Sequence, residues 1–71
     1  MDSLSLRNIA SAGGSVIVSA KNLDSLSLRN IASAGQKNGV VLVIKDANHL
    51  DSLSCRNIAS ANPGHVYFDF T

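Results

Sequence analysis

The chain contains one cysteine, Cys55, and no tryptophan. A single cysteine excludes an internal disulfide and a cysteine-built metal site. No excess of one charge exists either: six Lys and Arg face five Asp residues, for a net charge of +1. Nucleic-acid binding through bulk charge is therefore excluded, because there is no basic surplus to release counterions. No stretch approaches 18 consecutive apolar residues, so no membrane span is present. No basic start, apolar run and cleavage site mark a secretory leader. The sequence leaves the compartment unknown; expressed in a host cell without a targeting signal, the chain would be cytoplasmic. Charged residues are scarce at 15%, whereas apolar residues reach 45%. That balance is the reverse of the disordered signature. At 71 residues the chain suffices for one small domain.

What it does contain is repetition. DSLSLRNIASAG occupies Asp2–Gly13 and recurs unchanged at Asp24–Gly35, and DSLSCRNIASAN stands at Asp51–Asn62. The intervening segments are unrelated to one another. Drift after natural duplication keeps core positions and scatters surface ones. Here one element is frozen throughout while its partners differ completely. A very recent duplication fits this pattern, and so does laboratory construction from one repeated peptide. Construction is the favoured reading.

The repeated unit carries the boundary signals of a short helix. Asp2, Asp24 and Asp51 stand where an N-cap carboxylate accepts from free amides. Met1, Leu23 and Leu50 precede them, and Leu6, Leu28 and Cys55 come after them at the spacing of a hydrophobic staple. Gly13, Gly35 and Asn62 fall where a left-handed stop is expected, and Pro63 forbids continuation. Leu28, Ile31, Ala32 and Gly35 form one helical face, which Leu26 is expected to widen. A three-turn helix of this composition is marginal alone and needs packing partners.

The connecting segments SVIVSA, VVLVIK and HVYFDF are β-branched and aromatic, bounded by Gly, Asn, Pro and Asp, and read as strands. Helices are expected at about 2–12, 24–34 and 51–61, and strands at about 15–20, 40–45 and 65–70, in one small α/β domain. The αβαβαβ order implies a three-stranded parallel sheet, with helices packed mainly on one face if strand order follows the sequence and on opposite faces if the order is 2-1-3. One sheet face carries Val16, Val18, Ala20, Val40, Leu42, Ile44, Val66, Phe68 and Phe70 and should meet the helices. The other has an apolar stripe through Ile17, Val41, Val43 and Tyr67. All-parallel sheets seldom leave a face open, and a chain this short has a thin core. The stripe is therefore expected to be an association surface in a homo-oligomer.

The repeat periods of 22 and 27 residues lie in the leucine-rich-repeat range, and Leu23, Leu26 and Leu28 fit L-x-x-L-x-L. The chain thus resembles that family in period, over about six residues per copy. It departs from the family at Ile31, where the pattern places Asn. The family would also make the Leu-Ser-Leu segment a strand, against the stronger strand signals at VIVSA and VVLVI.

Little points to chemistry. Serines, His49, His65 and aspartates are present, but no G-x-S-x-G elbow accompanies them, and nucleophilic catalysis needs an oriented base and an oxyanion site. His49 and His65 fall at opposite ends of the strand layer. Cys55 stands where the other copies carry Leu and reads as a small buried apolar residue, or as a placed labelling handle. Arg7, Arg29 and Arg56, with Asn8, Asn30 and Asn57, form a ladder on the helix layer suited to phosphate or carboxylate, or a solvated face. At the carboxyl ends of the strands, where open α/β sheets bind ligands, stand Lys21, Asn22, Asp46, Asn48 and His49, without a Gly-rich phosphate loop. The expectation is a structural, self-associating repeat protein with no enzymatic activity, cofactor, metal, nucleic-acid, membrane or small-molecule partner. The alternative is a binding module, or a piece of a longer α/β solenoid, that uses its helix face or strand-end loops.

Overall fold

Each twelve-residue unit is helical in the computed structural model, which describes residues 1–71. The helices are α1 (Ser3–Ser11), α2 (Ser25–Ala34) and α3 (Ser52–Ala61). Asp2, Asp24 and Asp51 are extended, and their Oδ1 atoms accept from the amides of Ser5, Ser27 and Ser54, each at 2.8 Å. These bonds stabilise the ionised caps and hold all three carboxyls below the usual carboxylate value of 3.8. Depressed folded-state values mean stability that is present above the unfolded value and lost as pH falls through the folded ones. The melting temperature is accordingly expected to drop between about pH 5 and pH 2. The triple variant Asp2→Asn, Asp24→Asn, Asp51→Asn keeps a capping oxygen but has no proton to take up. A thermal scan against pH should show it losing less stability than the parent over that range.

The helix ends correct the expectation of three left-handed stops. Gly13 does adopt positive φ, at +99°. Gly35 stays right-handed at φ −89°, and a 3-10 turn, Gln36–Asn38, carries the chain on to the reversal at Gly39. Gly35 is required for closeness instead: a Cβ there would stand 2.6 Å from Val40 Cβ. Asn62 lies at φ −150°, and the reversal falls at Gly64. Pro63 is the cause, since the residue before proline is pushed toward extended backbone. Asn62 is buried, and its Nδ2 donates to the Val40 carbonyl at 2.9 Å, tying the end of α3 to the approach to the central strand.

The strands are β1 (Val16–Ser19), β2 (Leu42–Lys45) and β3 (Val66–Phe68). They form one parallel sheet in the order β1-β2-β3. The fold is therefore α/β with alternating helices and strands. The strands are short, but the pairing extends beyond them. Ser15 Oγ accepts from the Val41 amide before β2, and Asp69 bonds to Ile44 and Ala47 after β3. The segment containing Leu26 and Leu28 is helical, where a leucine-rich repeat would have its strand.

The helices lie side by side, with α2 in the middle, against one sheet face. Val18, Val40, Leu42 and Ile44 meet Ala10, Leu28, Ile31, Ala32 and Ile58 in a single core. Two residues expected in this layer are exposed. Leu26 points outward with its counterparts Leu4 and Leu53, because the third residue of the unit falls beyond the edge of the packed stripe. Phe70 lies past β3, where no further helix covers the sheet, and stacks on Phe68 at 6.1 Å between ring centroids.

The repeated helices are unequally buried. Ile31 of α2 is 1% exposed and Ile58 of α3 0%, but their equivalent Ile9 in α1 is 37% exposed. A helix that joins two parallel neighbours covers the seam between them. Thus α2 covers β1/β2 and α3 covers β2/β3, while α1 overhangs the outer edge of β1. Each helix returns the chain to the start of the next strand. Met1 and Thr71 consequently lie at the same end of the sheet, where Met1 shares a surface with Ser19 and Lys45.

Candidate functional site

Strand register decides what the sheet offers on the side away from the helices. Ile17, Val43 and Tyr67 are direct partners in the two ladders and form one cross-strand row. Ile17 is 70% exposed and Tyr67 58%, with Val43 half-buried between them. Strand parity puts Val41 on the same face, one row toward the amino ends of the strands, between Ser15 and His65. Three of the four stripe residues are thus brought together in line, and Val41 lies beside them.

Polar groups flank this row. Toward the carboxyl ends stand Ser19, Lys45 and Asp69. The Asp69 carboxyl is held below its usual range by the Thr71 hydroxyl and amide, with Lys45 adding to the effect. Beyond them Ser19 Oγ donates to Asp46 Oδ2 at 2.7 Å, and Lys21 Nζ lies 3.9 Å from Asp46 Oδ1. Asp46 has positive φ, at 57°. Of the residues named for the strand-end site, Lys21 and Asp46 come together, whereas Asn48 and His49 are exposed in the 3-10 turn Ala47–His49.

On the helix layer, Arg29, Asn30, Ser33, Gln36, Asn57 and Ser60 line a polar groove between α2 and α3. Arg29 therefore faces Asn57 of the next helix across the groove. The exposed row Leu4, Leu26 and Leu53 is a second apolar feature, readable in the sequence only as a leucine recurring at the margin of each helical face.

The remaining reactive groups are dispersed. His65 Nδ1 lies 3.1 Å from its own chain's Pro63 carbonyl, at the opposite end of the sheet from His49. Cys55 is half-buried, and burial, together with the charge of Asp51, pushes its thiol up. No three His, Cys or Asp side chains converge on a point that would hold a metal ion, and no helix is long and apolar enough to cross a membrane. Comparison with protein-family models, curated proteins and solved structures gives no match.

Proposed function

We propose that the chain is a structural, self-associating α/β repeat module without catalytic activity, built by design from one helical peptide used three times. The observation that carries this reading is the bare row Ile17–Val43–Tyr67 across a parallel sheet covered on its other side only. Parallel sheets are ordinarily covered on both faces, and a second copy laid on this face supplies the missing layer. The reading of design rests on the repeated unit, in which even exposed positions such as Leu4, Leu26 and Leu53 recur without change.

Val43 sits at the centre of the row, so Val43→Lys is the test. Two facing sheets would bring two ammonium groups into a desolvated contact, and like-charge juxtaposition there costs several kcal/mol. At about 1.4 kcal/mol per tenfold, face-to-face affinity should fall by roughly 100-fold or more. Light scattering on a sizing column should show a lower mass for the variant at equal helical content. An unchanged mass would overturn the role of this face.

A second reading, a binding module, draws on the α2–α3 groove. Its Arg29 guanidinium among amides and hydroxyls suits a phosphate or carboxylate group. Spectral titration with inorganic phosphate separates the two, since only the binding module responds specifically at Arg29 and Asn57.

A further inference from the structure

We infer that the outer edge of β1, beneath the overhang of α1, is a docking slot for β3 of a second copy, so that chains add head to tail into one continuous parallel sheet. This interface is separate from the open sheet face, and it stands or falls without it.

Three observations carry the inference. The first is the unequal burial of the repeated helices. In α2 and α3 the isoleucine of the repeat is buried, but Ile9 in α1, packed on Gly14 ahead of β1, is left 37% exposed, and Leu6 is half-exposed in a cleft with Ile17 and Val18 of β1. The unit that buries its isoleucine twice within the chain has a third, empty position.

The second is backbone parity. Alternate residues of a parallel strand direct their amide and carbonyl to the same neighbour. The amides of Val16 and Ala20 donate to the Val41 and Lys45 carbonyls, so Ile17 and Ser19 turn theirs outward. On the other edge of the sheet, His65 and Asp69 bond to β2, so Val66 and Phe68 turn theirs outward. These two edges are complementary. Setting β3 of one chain beside β1 of the next gives the same alternation that joins β1 to β2 and β2 to β3.

The third is the side chains that this register aligns. Val66 would fall opposite Val16, Tyr67 opposite Ile17, Phe68 opposite Val18 and Asp69 opposite Ser19. Phe70, exposed in its own chain, and the outer side of the half-buried Phe68 would come under α1 of the next chain, against Leu6 and Ile9. The row Ile17–Val43–Tyr67 would continue unbroken across the seam, and Asp69 would approach Lys21. A contact between two different edges is head to tail, so it generates a series, open or closed into a ring according to the rotation per chain, rather than a two-fold dimer.

The test is made in the Val43→Lys background, where the open face no longer contributes. Sedimentation velocity over a range of concentrations should show a ladder of species growing with concentration. Ile17→Pro removes the outward amide from an edge strand, a position where proline is tolerated. Ile17→Ser removes the same apolar side chain and keeps the amide. The ladder should vanish with Ile17→Pro and persist with Ile17→Ser, shifted to higher concentration by the loss of the contact with Tyr67, with circular dichroism unchanged in both. A second measurement does not depend on proline. In a Cys55→Ala chain carrying Val43→Lys, Ile17→Cys and Tyr67→Cys, the two thiols of one chain are separated by β2, about 10 Å apart, beyond disulfide reach. Across the seam they are direct neighbours. Mild oxidation should give a ladder of covalent multimers on a non-reducing gel. A strictly monomeric Val43→Lys chain, persistence of the series in Ile17→Pro, or oxidation without multimers would each overturn the inference. If instead Val43→Lys leaves the parental mass distribution unchanged while Ile17→Pro abolishes it, the edge contact stands and the face contact falls.

Discussion

Leu28→Ala should cost the chain a large part of its stability, and Leu6→Ala, the same change in an identical peptide, should cost much less. Leu28 is fully buried in the middle helix, whereas Leu6 is only half-covered on the overhanging one. Removing a sealed leucine costs about 2–5 kcal/mol, because a cavity remains where the side chain was. At roughly 0.05–0.15 kcal/mol per residue, a chain of this length has a total stability of the same order. The Leu28 variant should therefore populate unfolded states without denaturant, with Leu6→Ala still giving a cooperative urea transition. Equal shifts of the urea midpoint would show that burial of the repeats is even and that α1 does not overhang the sheet.

Asn62→Asp should be the most damaging polar change in the molecule, and its effect should depend on pH. The Asn62 amide is buried and donates to the Val40 carbonyl. A carboxylate in its place loses that donor, sets negative charge against an acceptor and carries the cost of a buried unpaired ion, about 3–5 kcal/mol. Asn62→Leu removes only the donor and leaves one carbonyl unpaired, for about 1–3 kcal/mol. Burial raises a carboxyl's pKa, so the carboxylate variant should regain stability as pH falls from neutrality toward the raised value, where protonation restores a donor. The Asn62→Leu variant should not. Urea unfolding of both at neutral and mildly acidic pH distinguishes them, and a pH-independent deficit in Asn62→Asp would contradict the burial of this site.

Much of this architecture is legible in the residues themselves. Aspartate caps, the aliphatic helical stripe and the β-branched connecting segments are local signals, and the alternation they spell leads to a parallel sheet. The helix stops are less legible, because each depends on the residues C-terminal to it. Gly35 resembles Gly13 but leads into a further turn and packs against Val40. Asn62 resembles a left-handed cap but precedes Pro63, and that proline is the signal against it. The site is legible as a stripe, since parity alone groups Ile17, Val41, Val43 and Tyr67 on one face. Which of them stand in a single row depends on ladder register, which no local pattern specifies. Least legible is the difference between copies. Ile9 and Ile31 have the same neighbours in sequence, and only the number of strands beneath each helix sets them apart. A residue pattern describes the helix, and its burial belongs to the sheet.

The placement of Met1 and Thr71 at one end of the sheet has a mechanical consequence. Tension applied between them acts across the strands rather than along them. It loads the outermost bonds of β3 and the contacts of α1 first, so hydrogen bonds give way in succession instead of sharing the force. A single chain held in this way is a zipper. In a head-to-tail ribbon each β3 is held on both sides, by its own β2 and by the neighbouring β1. The same molecule would then resist a pull that peels it apart when alone.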